Sequence, residues 1–292
     1  MDLGTRSLSP KESRVVLALT ENHRRDATRE EIRRVLGGTR NAADHIIHSL
    51  RRKGWLERAA WGKYLLVPPD QGPDVLGDSN LLALASRIVN PYYIGFGTAA
   101  ARYGLTTQHR NTIFLVTPAR RRERNLGRTR VRIITQAARK FFGFEPVDVL
   151  GYKVMMSDRE KTALDCIDYP ELAGGVGEAA VILASASRRF DWAKATDYLA
   201  RINSGALVRR VGWLLDHVKA EVPSETRARL FELASRSRKT WLGSEPARER
   251  AIRGAIGFDE IWRVYVNVAP DELWGSAGIA QRKTVTTIKK DS

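Results

Sequence analysis

Acidic residues are in short supply in this chain. Only 33 Asp and Glu stand against 49 Lys and Arg in 292 residues, which leaves a formal charge of +16. That imbalance, with a pI near 10.3, favours a polyanionic partner: nucleic acid first, an anionic membrane surface second. Cysteine is almost missing. Cys166 is the single one, so no intrachain disulfide can form, and its place in ALDCID reads as a small buried residue rather than a nucleophile. No apolar run approaches the roughly 20 residues of a spanning helix, and the first residues, MDLGTRSLSPKES, lack the apolar centre of a secretory leader. A cytosolic protein is the expectation. Catalytic signatures are scarce too. Gly174-Gly175-Val176-Gly177 has neither the Lys-Ser/Thr nor the preceding strand of a phosphate-binding loop, and no Gly-x-Ser-x-Gly elbow occurs. No cofactor is expected.

What is present begins with length and patterning. A chain of 292 residues, 43% hydrophobic, is long for one core and predicts two domains. The most informative stretch is Thr39 to Lys53, TRNAADHIIHSLRRK, a helix with two different faces. Ala43, Ile46, Ile47 and Leu50 follow the i, i+3, i+4, i+7 spacing of a buried stripe. Asn41, Asp44, His45, His48 and Arg52 share the helical spacing of the opposite face, with Arg40 and Arg51 on its flanks. Taken alone, such a face is either solvated surface or a surface that reads bases.

Its neighbours favour the second reading. Ser9-Pro10-Lys11-Glu12 is a capping box with proline at N1, opening a helix to about Thr20 that buries Val15, Val16 and Leu19. A second box, Thr28 to Glu31, opens a helix with Ile32, Val35 and Leu36 inside, and Gly37-Gly38 supplies a left-handed exit. Thr39 caps the third helix and Gly54 ends it. Trp55–Arg58 and Tyr64–Val67 then form a hairpin about a turn at Ala60–Lys63. Three short helices and a hairpin are the order of a winged helix-turn-helix, whose last helix enters the major groove while the hairpin wing lies along the backbone. Arg40, Asn41, Asp44, His45 and His48 are the candidates for base edges, since Arg suits guanine and Asn adenine. Arg51, Arg52, Lys53, Arg58 and Lys63 are the candidates for phosphates, which give affinity without sequence information. His45 and His48 have the i, i+3 spacing of metal ligands, but no cysteine or second histidine pair lies nearby, so no metal is expected.

Pro68 to Asp74 concentrates turn formers and marks a boundary. We read residues 1–70 as the DNA-binding domain, 75–275 as the larger domain and 276–292 as a polar, basic, disordered tail in which Thr284–Lys289 could add to a partner's sheet edge. The larger domain reads as α+β, a mixed sheet followed by a helical part. An amphipathic helix is expected at Leu81–Val89, strands at Tyr92–Phe96, Thr112–Val116, Val131–Thr135 and as a pair through Val147–Met156, and a helix at Thr98–Gly104. Ser157 to Glu160 reads as a third capping box, followed by helices to about Arg236 and a late strand at Arg263–Asn267. Arg120, Arg121, Arg122, Arg124, Arg128 and Arg130, opposed only by Glu123, form either a solvated loop or a second polyanion surface.

The segment SDREKTALDCIDYPELAGG, Ser157 to Gly175, is similar to the motif of the AbiEi family of bacterial antitoxins. YYIGFGTAAARYGLTTQ, Tyr92 to Gln108, and ALVRRVGWLLD, Ala206 to Asp216, resemble family segments too. With the winged helix the likeness covers residues 9 to 220, its most specific part running from Glu160-Lys161-Thr162 to Gly174-Gly175. After about Val222 no family pattern is found. The resemblance implies two jobs. The winged helix binds double-stranded DNA at repeats in the operon's promoter and represses it, and the larger domain neutralises a nucleotidyltransferase-like toxin encoded alongside, directly or indirectly. Lys161, Asp165, Pro170, Glu171, Gly174 and Gly175 match the family motif and are the implied antitoxicity residues. For several of these a structural role is an equal alternative: Gly174-Gly175 as punctuation between helices, Asp165 as a buried acceptor.

The expectation is therefore a non-enzymatic antitoxin and autorepressor with no membrane partner. An effector-sensing regulator is the alternative. A metal-dependent nuclease using Asp148 and Glu160 with Lys153 or Lys161 is a further one, disfavoured because Glu160 and Lys161 are adjacent at a helix start and do not face each other.

Overall fold

The structure of the chain is a computed structural model. It describes residues 7–21, 26–60, 62–67, 78–108, 111–126, 129–149, 152–235, 239–243, 257–269 and 273. Trp61 in the hairpin turn, the Pro68–Asp74 boundary and the 276–292 tail lie outside the described residues. The fold is α+β.

The first element block is α1 (Pro10–Glu21), β1 (Asp26–Thr28), α2 (Arg29–Leu36), α3 (Arg40–Arg52), β2 (Leu56–Ala60) and β3 (Lys63–Leu66). Both amino-terminal boxes form. The Ser9 amide donates to Glu12 Oε2 at 2.6 Å, and Thr28 exchanges hydrogen bonds with Glu31 through its amide at 2.7 Å and its hydroxyl at 3.2 Å. Gly37 takes the left-handed exit at φ 64°, which only glycine adopts without cost. Thr39 caps α3 by accepting from the Ala42 amide. Periodicity did not announce β1, because three residues are too few to alternate. It exists by pairing with β3, with Ala27 opposite Tyr64, and makes a three-stranded antiparallel sheet in the order β1-β3-β2. Val15, Leu19, Ile32, Ala43, Ile47, Leu50, Trp55 and Tyr64 fill the core beneath.

A six-stranded mixed sheet organises the rest. Its strands are β4 (Tyr93–Ile94), β5 (Thr112–Thr117), β6 (Arg124–Leu126), β7 (Thr129–Thr135), β8 (Phe144–Val149) and β9 (Tyr152–Ser157), in the order β6-β7-β5-β4-β9-β8. Alternation sends Phe114 and Val116 to one face, Ile113 and Leu115 to the other. The first face is covered by α5 (Phe96–Arg102), α6 (Arg159–Asp168), α7 (Pro170–Ala173), α8 (Val176–Ser187), α9 (Trp192–Ile202), α10 (Gly205–His217) and α11 (Ser224–Ser235). The second is covered by α4 (Asp78–Ala85). Here the expected amphipathic helix is corrected. It ends at Ala85, and Leu81 to Ala85 are all buried, because α4 lies between β2 of the first block and β5, β6, β8 and β9 of the large sheet. A helix covered on both sides has no solvent face to pattern.

A small sheet of β10 (Thr240–Trp241), β12 (Val264–Val266) and β11 (Gly257–Asp259) packs against α10. Arg209, buried on α10, donates to the carbonyls of Trp262 and Ala234 at 2.8 Å each, and Trp262 Nε1 donates to Asp216 at 2.8 Å. Gly212 is required beneath that indole, since a Cβ there would sit 2.4 Å from Trp262. Residues after Val222 thus share the core with the motif-bearing helices. Among the described residues no helix is long and apolar enough to cross a membrane.

An ion pair with a buried carboxylate fastens α1 to α3 in the first block. Lys53 Nζ, at the end of α3, lies 2.7 Å from the carboxylate of Glu12 on α1, whose side chain is 2% exposed. Burial alone would raise this carboxyl, but hydrogen bonds from Lys53, Ser49 and Ser9 outweigh it and lower the pKa from 4.5 to about 2. Because the folded value is depressed, the stabilisation is complete above pH 4.5 and fades as pH falls toward 2. Lys53→Met should lower stability at pH 7 by about 1–3 kcal/mol in urea denaturation, and adding Glu12→Gln should restore most of it. A single variant as stable as the parent chain would remove this fastening role.

Candidate nucleic-acid interface

The α3 helix presents the expected polar face. Arg40, Asn41, His45, His48, Arg51 and Arg52 are exposed, while Ala43, Ile47 and Leu50 are buried and Ile46 half-buried. Arg58 is exposed on β2. Lys63 opens β3 in the adjoining hairpin, though its side chain, like all of Arg128, lies outside the described residues.

Two of the candidate DNA-contacting residues also meet opposite charges within the protein. Asp44 Oδ1, on a side chain 43% exposed, sits 2.8 Å from Arg29 Nε of α2. Lys53 Nζ sits 2.7 Å from the buried Glu12 carboxylate. Among the described residues no group of three or more His, Cys, Asp or Glu is placed to hold a metal ion, and His45 and His48 belong to no such group.

The arginine run is not a plain loop. Arg124 opens β6, an edge strand antiparallel to β7. Glu123 is shared by Arg130 at 2.5 Å and Arg132 at 3.1 Å, both on β7. Arg120, Arg121, Arg122 and Arg124 are exposed and make no ion pair among the described residues.

The motif residues divide into buried and exposed sets. Lys161 and Asp165 lie one turn apart on α6 with relative exposures of 0% and 1%. Lys161 Nζ is ion-paired with Asp165 and donates to the Tyr93 hydroxyl at 3.1 Å, which itself lies 3.0 Å from Asp165 Oδ2 and 2.9 Å from Gln136 Oε1. Exchanging the oxygen and nitrogen of the Gln136 amide lets its otherwise unpartnered Nε2 donate to Tyr93, leaving the one phenol proton for Asp165. Burial holds the Tyr93 hydroxyl well above its ordinary range, with the Asp165 carboxylate adding to the effect. Burial also raises Asp165, against the pull of Lys161. The Tyr93 and Phe142 rings, each 5.3 Å from the ammonium, complete its enclosure. Pro170 is half-buried at the start of α7, and Glu171 and Gly174 are exposed. Gly174 (φ 121°) and Gly175 (φ 104°) donate to the Pro170 carbonyl at 2.9 and 2.8 Å, which makes the glycine pair the punctuation between α7 and α8. Tyr93 carried no signal in the sequence, since its partners lie 43 and 72 residues away.

The expected box at Ser157 does not form. Asp158 is the cap, accepting from the Lys161 amide at 2.8 Å, while Ser157 is buried against Thr162 at 2.7 Å. Glu160, freed from capping, binds Lys194 of α9 at 2.9 Å, and Lys194 also reaches Asp158 at 3.1 Å. Asp148 is exposed on β8 opposite Lys153 of β9. The carboxylates of the nuclease alternative therefore sit on different elements, and that of Glu160 is taken up by Lys194.

These elements define an α+β protein whose two notable polar surfaces are an exposed helix face and a basic sheet edge. No protein-family model and no curated protein sequence matches the chain. It is similar to the crystal structure of the RV2827C protein from Mycobacterium tuberculosis, with a TM-score of 0.67 and 18% identity over 94% of this chain and 97% of that one. At that identity the likeness is one of fold, and it extends through both element blocks.

Lys161→Met strands a carboxylate in the core and should cost about 3–5 kcal/mol in chemical denaturation, whereas Lys161→Met with Asp165→Leu should recover most of that loss. Equal stability of the single variant and the parent chain would refute a central role for the pair.

Proposed function

We propose that residues 8–67 are a winged helix-turn-helix that binds double-stranded DNA through α3 and the β2–β3 wing, and that the chain is a non-enzymatic antitoxin repressing its own operon from the cytoplasm. One observation supports the DNA reading above others. The third helix buries its apolar stripe and leaves Arg40, Asn41, His45, His48, Arg51 and Arg52 exposed together beside a two-stranded wing. Arg40 and Asn41 occupy the first turn of α3, the end that approaches base edges in this class of module. Arg51, Arg52, Arg58 and Lys63 supply backbone contacts.

The antitoxin reading rests on the resemblance of Ser157–Gly175 to the AbiEi motif. The partner is a nucleotidyltransferase-like toxin encoded alongside, and the burial of Lys161 and Asp165 assigns them to holding α6 in place. Glu171, exposed on α7, is the charged motif residue placed to meet a partner.

Arg40→Ala and Asn41→Ala should each weaken binding to the DNA upstream of the chain's own gene by about 1–3 kcal/mol and relax sequence choice. Lys63→Ala should lower affinity on all duplexes and reduce the salt slope by about one unit. Unchanged binding in all three variants would dispose of the proposed surface. For the antitoxin role, co-expression with the neighbouring toxin gene should restore growth with the full chain, and Glu171→Lys should abolish rescue without lowering the melting temperature. Undiminished rescue by Glu171→Lys would exclude Glu171 from neutralisation.

A further inference from the structure

The exposed arginines of the large sheet fall on a particular side of it. Arg124 stands opposite Val131 in the β6–β7 ladder, and residues directly opposite share a face. Val131 belongs to the core beneath α4, with Leu81, Leu84 and Ile113, and Leu126, two residues on from Arg124, packs against the same core. Arg124 therefore projects on the side covered by α4. Arg122 lies two residues ahead of it, just before the strand begins, and is exposed. Glu123, between them, turns to Arg130 and Arg132 and offsets part of their charge instead. The result is segregation: the carboxylate serves one face, and uncompensated guanidinium groups remain at the other.

The α4 helix touches both β6 and β2. It is eight residues long, about 12 Å, so the wing and the arginine edge are its near neighbours on the same side of the large sheet. That separation is well within the roughly 34 Å of one duplex turn. We propose that Arg122 and Arg124, flanked by Arg120 and Arg121, form a second duplex-DNA contact that grips the phosphate backbone next to the segment bound by α3 and the wing. The inference rests on the DNA reading of the amino-terminal module. Guanidinium groups in close succession at a strand edge, with only Glu123 between Arg122 and Arg124 in the chain, suit the phosphates of a duplex better than single-stranded RNA. They add affinity and no sequence preference.

The test uses the full chain and two duplexes, the DNA upstream of its own gene and an unrelated sequence of equal length, over a salt series. Arg122→Ala with Arg124→Ala should reduce the slope of log K against log salt by about one to two units, at about 0.9 per lost phosphate contact, equally on both duplexes. The preference for the native sequence should be unchanged, and Arg122→Lys with Arg124→Lys should restore most of the slope because the charge returns. An unchanged slope in the alanine pair, while Arg40→Ala with Asn41→Ala still abolishes sequence preference, overturns this contact and leaves the module's role standing. Loss of neither slope nor preference in any variant overturns both. A slope change seen with single-stranded RNA and absent with duplex also overturns the proposal, assigning the edge to RNA.

Discussion

An ammonium and a carboxylate share the core beneath the large sheet, and most of what surrounds them is arranged to keep them there. Lys161 and Asp165 are one turn apart on α6, sealed beneath the sheet by Tyr93, Gln136 and Phe142. Two buried charges without partners would cost several kcal/mol each, so the pair, the phenol and the amide have to be present together. Their demands fix the position of α6 against β4, and with it the start of α7, where Pro170 and Glu171 reach the surface. A second set of charges, Asp158 and Glu160 with Lys194, ties the same end of α6 to α9. The motif is thus mostly an anchorage, with a small exposed part carried on it.

The amino-terminal block follows the same logic on a smaller scale. Glu12 is buried under α3 and held by Lys53, Ser49 and Ser9, so the angle between α1 and α3 is set by a charge that cannot be left alone. Asp44 and Arg29 hold α2 to α3 at the other side. What remains free for a partner is the set of side chains the fold does not consume: the first-turn Arg40 and Asn41, the two histidines, and the terminal arginines of α3.

Local chemistry was the readable part of this chain. Two capping boxes, the left-handed Gly37, the hairpin and the strand alternation of Thr112–Val116 and Val131–Thr135 all depend on residues within a few positions of one another, and all appear in the structure. The illegible parts are long-range. Lys53 reads as a basic residue ending a helix until Glu12, 41 residues earlier, is found beneath it. Tyr93 reads as one more aromatic in a strand. The helix α4 reads as amphipathic because its second covering surface, β2, comes from the other block. Ser157 misleads for a different reason: Asp158 is an equally good cap one residue on, and the buried hydroxyl of Thr162 claims the serine.

The placement of α4 sets how far the two blocks can act apart. With all of Leu81–Ala85 buried between β2 and the large sheet, it behaves as a fixed spacer rather than a tether. On the DNA reading proposed above, the larger block would inherit, through this spacer, the rotational phase of the duplex held by the first block. Two copies on sites a whole helical turn apart, about 10 base pairs, would hold their larger domains on one side of the DNA, and insertion of half a turn would swing them to opposite sides.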